Sequence, residues 1–129
     1  MGSPTPLPPP RTRTTRLEAS PDAPAEARWF LWSNAADPTL PPEMETAALL
    51  VSELVSNAVR HADSDQPIDL SFRVDGESMR VSVRDTGPTF NPETALVADD
   101  RYGLRLVDAL ADRWGGRPVP DGMEVWFEL

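Results

Sequence analysis

The sequence contains no cysteine. Disulfides and thiolate metal sites are therefore excluded, and the composition suits a reducing compartment. No apolar run approaches the ~20 residues a membrane span requires. The opening MGSPTPLPPPRTR lacks the apolar core of a secretion signal. A cytoplasmic protein with no membrane partner is the expectation. Positive charge is scarce: 12 basic residues face 21 acidic ones, for a net charge of −9. A binder of nucleic-acid backbones needs a basic patch, so no direct nucleic-acid partner is expected. A single nucleotide held by backbone groups and a metal is not excluded.

What remains is a chain of 129 residues, enough for one domain with its own core. Proline is abundant at 15 residues and concentrated at the start. Residues 1–12 read as a disordered Pro-rich tail and 13–129 as the folded domain. Thr14–Ala19 suits a short edge strand. Ser20-Pro21-Asp22 suits a helix start, followed by a stripe of Ala25, Trp29 and Trp32 that is expected to pack into the core. A long helix is expected over Pro42–Ala62, then strands at PIDLSFRV and SMRVSVRD joined by an Asp75-Gly76 turn. GLRLVDALADRW reads as another helix. RWGGRPV and GMEVWFEL read as a closing hairpin, with Pro120-Asp121-Gly122 at its turn. Helices alternating with pairs of strands predict an α+β, two-layer sandwich.

Three places carry residues that scaffolding does not require. In LLVSELVSNAVRHA, Leu50, Val51, Leu54, Val55, Ala58, Val59 and Ala62 make one apolar face. Glu53, Asn57, Arg60 and His61 fall opposite. Asn is a poor helix-interior residue because its amide competes for the backbone. Glu53 and Asn57 lie about 40° apart around the helix and can point to one place. Their oxygens are hard ligands suited to Mg²⁺, or the carboxylate can act as a general base, or the pair is a solvated face. In VRDTGP, Asp85 ends a strand and Gly87 follows. That is either an ordinary turn or a carboxylate at a sheet mouth with a glycine admitting a flat ligand. In RYGLRLV, Gly103 opens a helix, whose N-terminus suits phosphate.

Taken in order, these pieces resemble the nucleotide site of the GHKL (Bergerat) ATPase superfamily, the histidine kinase-like group. Within it they are most similar to the stand-alone bacterial anti-sigma factor serine kinases. ELVSNAVRHA resembles the N box of that group, DTGPTF its first glycine box and GLRLVDALADRWG its second, over about Ala19 to Leu129. The resemblance implies a mixed, mostly antiparallel sheet with helices on one face. It implies ATP and Mg²⁺ as cofactors. Asn57 would bind the metal, and Glu53 would be the catalytic base or water-positioning group. Asp85 would accept from the adenine amino group with Gly87 beneath the ring, and Gly103 and Leu104 would offer backbone N–H groups to phosphates. It further implies a serine/threonine protein kinase acting on a STAS-type anti-anti-sigma factor, a sequestered sigma factor, and a homodimer. The alternative is a non-catalytic, nucleotide-dependent binding switch.

Two positions depart from the pattern. Thr89 stands where the first box often carries a further glycine, and Arg101 where the second box opens on one. Arg101 lacks glycine's backbone freedom, though its guanidinium can reach a phosphate. The stretch between the boxes, residues 88–100, is short and acidic near its end. DTG is also the catalytic triplet of aspartic proteases, but Arg84 precedes it and the long helix contradicts an all-β chain. His61 sits within the N box itself. It is expected to pack or hydrogen-bond locally, because the chain has no room for a separate phosphoacceptor helix.

Overall fold

The computed structural model describes residues 9–34, 43–61, 66–76, 78–95 and 102–129. The elements run β1 (Arg11–Leu17), α1 (Ala23–Asn34), α2 (Met44–His61), β2 (Ile68–Asp75), β3 (Ser78–Asp85), α3 (Pro92–Ala95), α4 (Tyr102–Leu110), β4 (Arg113–Val119) and β5 (Gly122–Glu128). The strands form one sheet in the order β1-β2-β3-β5-β4. The architecture is the expected α+β sandwich. Its sheet is antiparallel at every described pairing, where a mixed, mostly antiparallel one was expected. β1 begins at Arg11, so it takes in Arg11 and Thr12, which had been read with the tail. Pro41, Pro42 and Ala62, the expected limits of the long helix, lie outside the described residues.

Period-two alternation fixes which side of the sheet is buried. Ile68, Leu70 and Phe72 of β2, Met79, Val81 and Val83 of β3, and Met123, Val125 and Phe127 of β5 all point into the core. They meet Leu50, Val51, Leu54, Val55 and Ala58 of α2 and Leu104 and Val107 of α4. The hairpin between β2 and β3 turns on Gly76, whose φ of 63° favours glycine over residues with a Cβ. α4 is shorter than GLRLVDALADRW suggests. It stops at Leu110, and the Asp112 N–H donates to the Glu128 carbonyl, which starts β4.

The opposite face of the sheet is polar and internally paired. Glu124 accepts from Arg84 at 3.0 Å and from Arg117 at 3.2 Å. Glu128 accepts from Arg80 at 3.0 Å and also from Arg113. Between these two Arg–Glu–Arg rows lies Trp126, with the Arg80 guanidinium 4.1 Å from its ring centroid. Gly115 leaves room for that ring, since a Cβ there would sit 2.9 Å from Trp126 Cζ2.

One expectation about the core is overturned. α1 buries Ala23, Ala27 and Leu31, not the stripe of Ala25, Trp29 and Trp32. Trp29 is 71% exposed and Trp32 47%. The helix packs closely on α2 through its small residues. Turning the indoles inward would force the two helices apart.

Candidate functional site

The expected site residues come from three elements that the core brings together. α2 carries Asn57 in its last two turns. The sheet carries Asp85 at the end of β3, on the same inward row as Met79, Val81 and Val83. α4 carries Leu104, fully buried, near its start. Asn57, Asp85 and Leu104 line a single small cavity, together with Leu54, Ala58, Val83, Phe90 and Val125. Its volume is about 10 Å³, which is close to the room one water needs.

Asn57 is only 7% exposed. It lies well within the helix, yet its Nδ2 has no hydrogen-bond partner among the described residues. A buried, unpaired donor costs about 1–3 kcal/mol. Ser52, also buried on α2, shows the usual solution: its hydroxyl donates to the Leu49 carbonyl at 2.8 Å. Asn57 Nδ2 has no such outlet among the described residues. A half-turn of its amide exchanges nitrogen for oxygen, so either a donor or an acceptor can be presented to the cavity.

Asp85 is half-buried and organises the loop that follows. Its Oδ1 accepts the Gly87 N–H at 2.7 Å, closing an Asx turn. The expected reason for Gly87 was access for a flat ligand. The structure supplies another: a Cβ would lie 2.7 Å from the His61 carbonyl oxygen and 2.9 Å from Asp85 Oδ1. Gly87 therefore lets the loop seat against the C-terminal end of α2, where half-buried His61 sits. Gly122, expected only as a turn residue, has the same logic from the other side. A Cβ there would collide with the Asp85 backbone carbonyl, so β5 starts in direct contact with the strand end that carries the carboxylate.

Glu53 does not join this cavity. It is half-buried, one turn before Asn57 on α2, and outside the cavity lining. Gly103 is the second residue of α4, as its helix-opening role requires. Thr89 is exposed, and Arg101 lies outside the described residues. Sequence reasoning missed Phe90 as a site residue. It borders the Asn57 cavity and also an open groove of about 870 Å³ floored by Trp114, Gly115 and Gly116. The available signal was a lone large apolar residue in an otherwise polar loop.

Metal-binding chemistry follows from the donor set. Among the described residues no group of three or more His, Cys, Asp or Glu could hold an ion. A protein cage for a cation is thus not formed by them. An Asn oxygen with a carboxylate one turn away fits Mg²⁺ that arrives already carrying phosphate oxygens.

Residues 17–129 match the model of the histidine kinase-like ATPase domain. The chain belongs to that family, a class of ATP-binding domains. A search of curated proteins finds no match.

Proposed function

We propose that this domain is an ATP-binding regulator of the anti-sigma type, acting as a serine/threonine protein kinase on an anti-anti-sigma protein and sequestering a sigma factor. The observation that supports it best is the buried Asn57 amide, whose Nδ2 has no partner among the described residues, lining the same cavity as Asp85. One group needs a polar partner and the other is the acceptor that an adenine amino group would meet. Asn57 would hold Mg²⁺ through its amide oxygen, with Glu53 the nearest carboxylate on α2. The cation, when bound, neutralises phosphate charge. Asp85 would orient the base. The N–H groups that open α4, those of Gly103 and Leu104, would face phosphate oxygens. In transfer, the hydroxyl oxygen of a target serine bonds to the γ-phosphorus while the bond to the ADP oxygen breaks. Glu53 takes the hydroxyl proton.

The cavity is too small for an adenine ring as it stands. Entry requires displacement of Phe90, the lining residue carried by a loop and not by a helix or strand. Binding by this reading is therefore coupled to movement of the 86–91 loop.

Calorimetry with Mg-ATP is the test. Saturable binding that is lost in Asn57→Ala supports the reading, and no heat at millimolar nucleotide sinks it. A second reading, a nucleotide-dependent switch without phosphotransfer, is favoured by one feature: Glu53 stands outside the cavity that gathers the other site residues. Radiolabelled ATP with a STAS-type partner separates the two. Complex formation without label transfer selects the switch.

A further inference from the structure

The paired network on the open face of the sheet leaves one cation over. Two rows of charged side chains cross that face. The first runs Arg16, Asp69, Arg84, Glu124 and Arg117 from β1 to β4, and its sign alternates at every step. Each arginine in it is ion-paired. The second runs Thr12, Arg73, Arg80, Glu128 and Arg113, and its alternation fails at β2. Arg73 stands directly opposite Arg80, where the first row sets Asp69 opposite Arg84. Side chains opposed in this way start only about 5 Å apart, and like charges so placed destabilise the pair.

The acids of the face do not relieve this contact. Glu128 gives one carboxylate oxygen to Arg80 and the other to Arg113. Asp69 and Glu124 are engaged in the first row. Among the described residues no carboxylate pairs with Arg73, not even Asp75, two residues along the same side of β2. Arg73 is exposed. With Arg80 it borders a hollow of about 520 Å³, where the hydroxyl residues Thr12, Ser71, Ser78 and Ser82 also gather. Guanidinium and hydroxyl donors around one hollow are what an oxyanion takes.

The rest of the face selects the source of that oxyanion. Its two rows, with Asp75, hold six arginines against four carboxylates, a net charge of +2. The whole chain carries −9, so the remainder carries −11. Two copies face to face would set positive against positive. A polyanion such as nucleic acid would meet the field of the acidic remainder. A free phosphate would occupy one corner of a sheet surface of roughly 20 by 20 Å, given strands about 4.8 Å apart and ~3.4 Å per residue. Between the rows lies half-buried Trp126, under the Arg80 guanidinium. Tryptophan and arginine are the residues that protein interfaces concentrate.

We propose that the open sheet face docks an acidic segment of a partner protein, with one of its carboxylates seated between Arg73 and Arg80. That carboxylate supplies the alternation that the second row lacks. The face lies across the sheet from the Asn57 cavity, so this inference is independent of whether the domain binds nucleotide.

Octaglutamate is the probe, followed by NMR on the full chain. Saturating peptide should shift the Arg73 and Arg80 Nε–H signals together with the Ser71 and Ser82 amides. Arg73→Asp places an acid opposite Arg80 and completes the row, so affinity should fall at least tenfold while the melting temperature holds or rises. Arg73→Gln removes the charge without adding one and should also weaken binding, so the result does not hang on one variant. No saturable shift overturns the proposal, as does binding that both variants leave intact. Inorganic phosphate that reproduces the same shifts at equal concentration overturns it in favour of a free anion. A dimer in sedimentation velocity that Arg73→Asp dissolves overturns it in favour of a second copy.

Discussion

Asn57 and Glu124 are both buried polar residues, 7% and 9% exposed, on opposite faces of the same sheet. Glu124 is satisfied by the protein itself, with an arginine on each carboxylate oxygen from β3 and β4. Asn57 is not, because its amide nitrogen meets nothing among the described residues. Burial of a polar group is tolerated when its partners are built in. Where they are not, the structure carries a cost that something outside it must offset. The open sheet face is a finished network, and the α2–β3–α4 side is an unfinished one. The predictions that follow test this contrast in order of decreasing effect.

The largest effect concerns the unfinished side in action. If the domain is a kinase as proposed, Glu53→Ala should keep nucleotide binding and lose phosphotransfer by ~10²–10⁴-fold, the usual cost of removing a general base. Nucleotide titration and single-turnover transfer on the same preparation check it. Intact transfer would show that Glu53 is only a helix-surface residue, and its absence from the cavity lining would then be the whole account of it.

The finished side should respond through stability alone. Glu124→Ala removes two charge-assisted hydrogen bonds, each worth about 1.5–3 kcal/mol when fully buried. Arg84 and Arg117 are both substantially exposed and regain water, so the net loss should be nearer 1–2 kcal/mol. Denaturant unfolding measures it, and nucleotide affinity should not change. A neutral outcome would mean that the arginines do not account for the burial of Glu124, and the contrast with Asn57 would lose its reference.

Base choice comes next. An ionised carboxylate only accepts hydrogen bonds, and adenine offers an amino donor where guanine offers a carbonyl. Asp85 Oδ1 accepts the Gly87 N–H, which fixes the carboxylate at the strand end. ATP should outcompete GTP by about tenfold, equivalent to ~1.4 kcal/mol, and Asp85→Asn should erase much of that preference. Competition against a fluorescent nucleotide reads both. Equal affinities in the unaltered protein would remove Asp85 from any adenine pocket.

The sequence made the sheet legible because alternation in SMRVSVRD and the Asp75-Gly76 turn each admit one register. α2 was legible because its apolar residues leave one polar face. α1 was not. Ala, Trp, Phe and Leu occur all around it, so periodicity could not choose a side, and size suggested the wrong one. The space beside α2 rewards small residues, which only the packed structure reveals. At the site, the residue types of Asn57 and Asp85 announced themselves. What sequence could not convey was distance through space. Gly87 and Gly122 are explained by backbones that approach from α2 and from β3, and Phe90 by a cavity whose other walls lie on four separate elements.

The smallest effect is also the sharpest test of the contrast, because its sign is opposite to that of Glu124→Ala. Asn57→Ala deletes a buried amide whose nitrogen has no partner among the described residues, and replaces a poor helix former with the best one. Against these gains stands the small void left where the amide was, beside a cavity of about 10 Å³. Removing an unsatisfied polar group is worth about 1–3 kcal/mol, and the lost packing of a few atoms takes back part of it. The protein without nucleotide should therefore gain about 1 kcal/mol or less. For a domain of this size that is a rise of a few degrees in melting temperature, roughly 2–6 °C. The same substitution should abolish the Mg²⁺ dependence of ATP binding. A stabilised apo protein that no longer responds to Mg-ATP would mean that Asn57 is kept at the expense of the fold for the sake of a ligand. If the variant instead melts lower and binds nucleotide as before, the amide is structural, and the two sides of the sheet do not differ in the way their hydrogen bonds suggest.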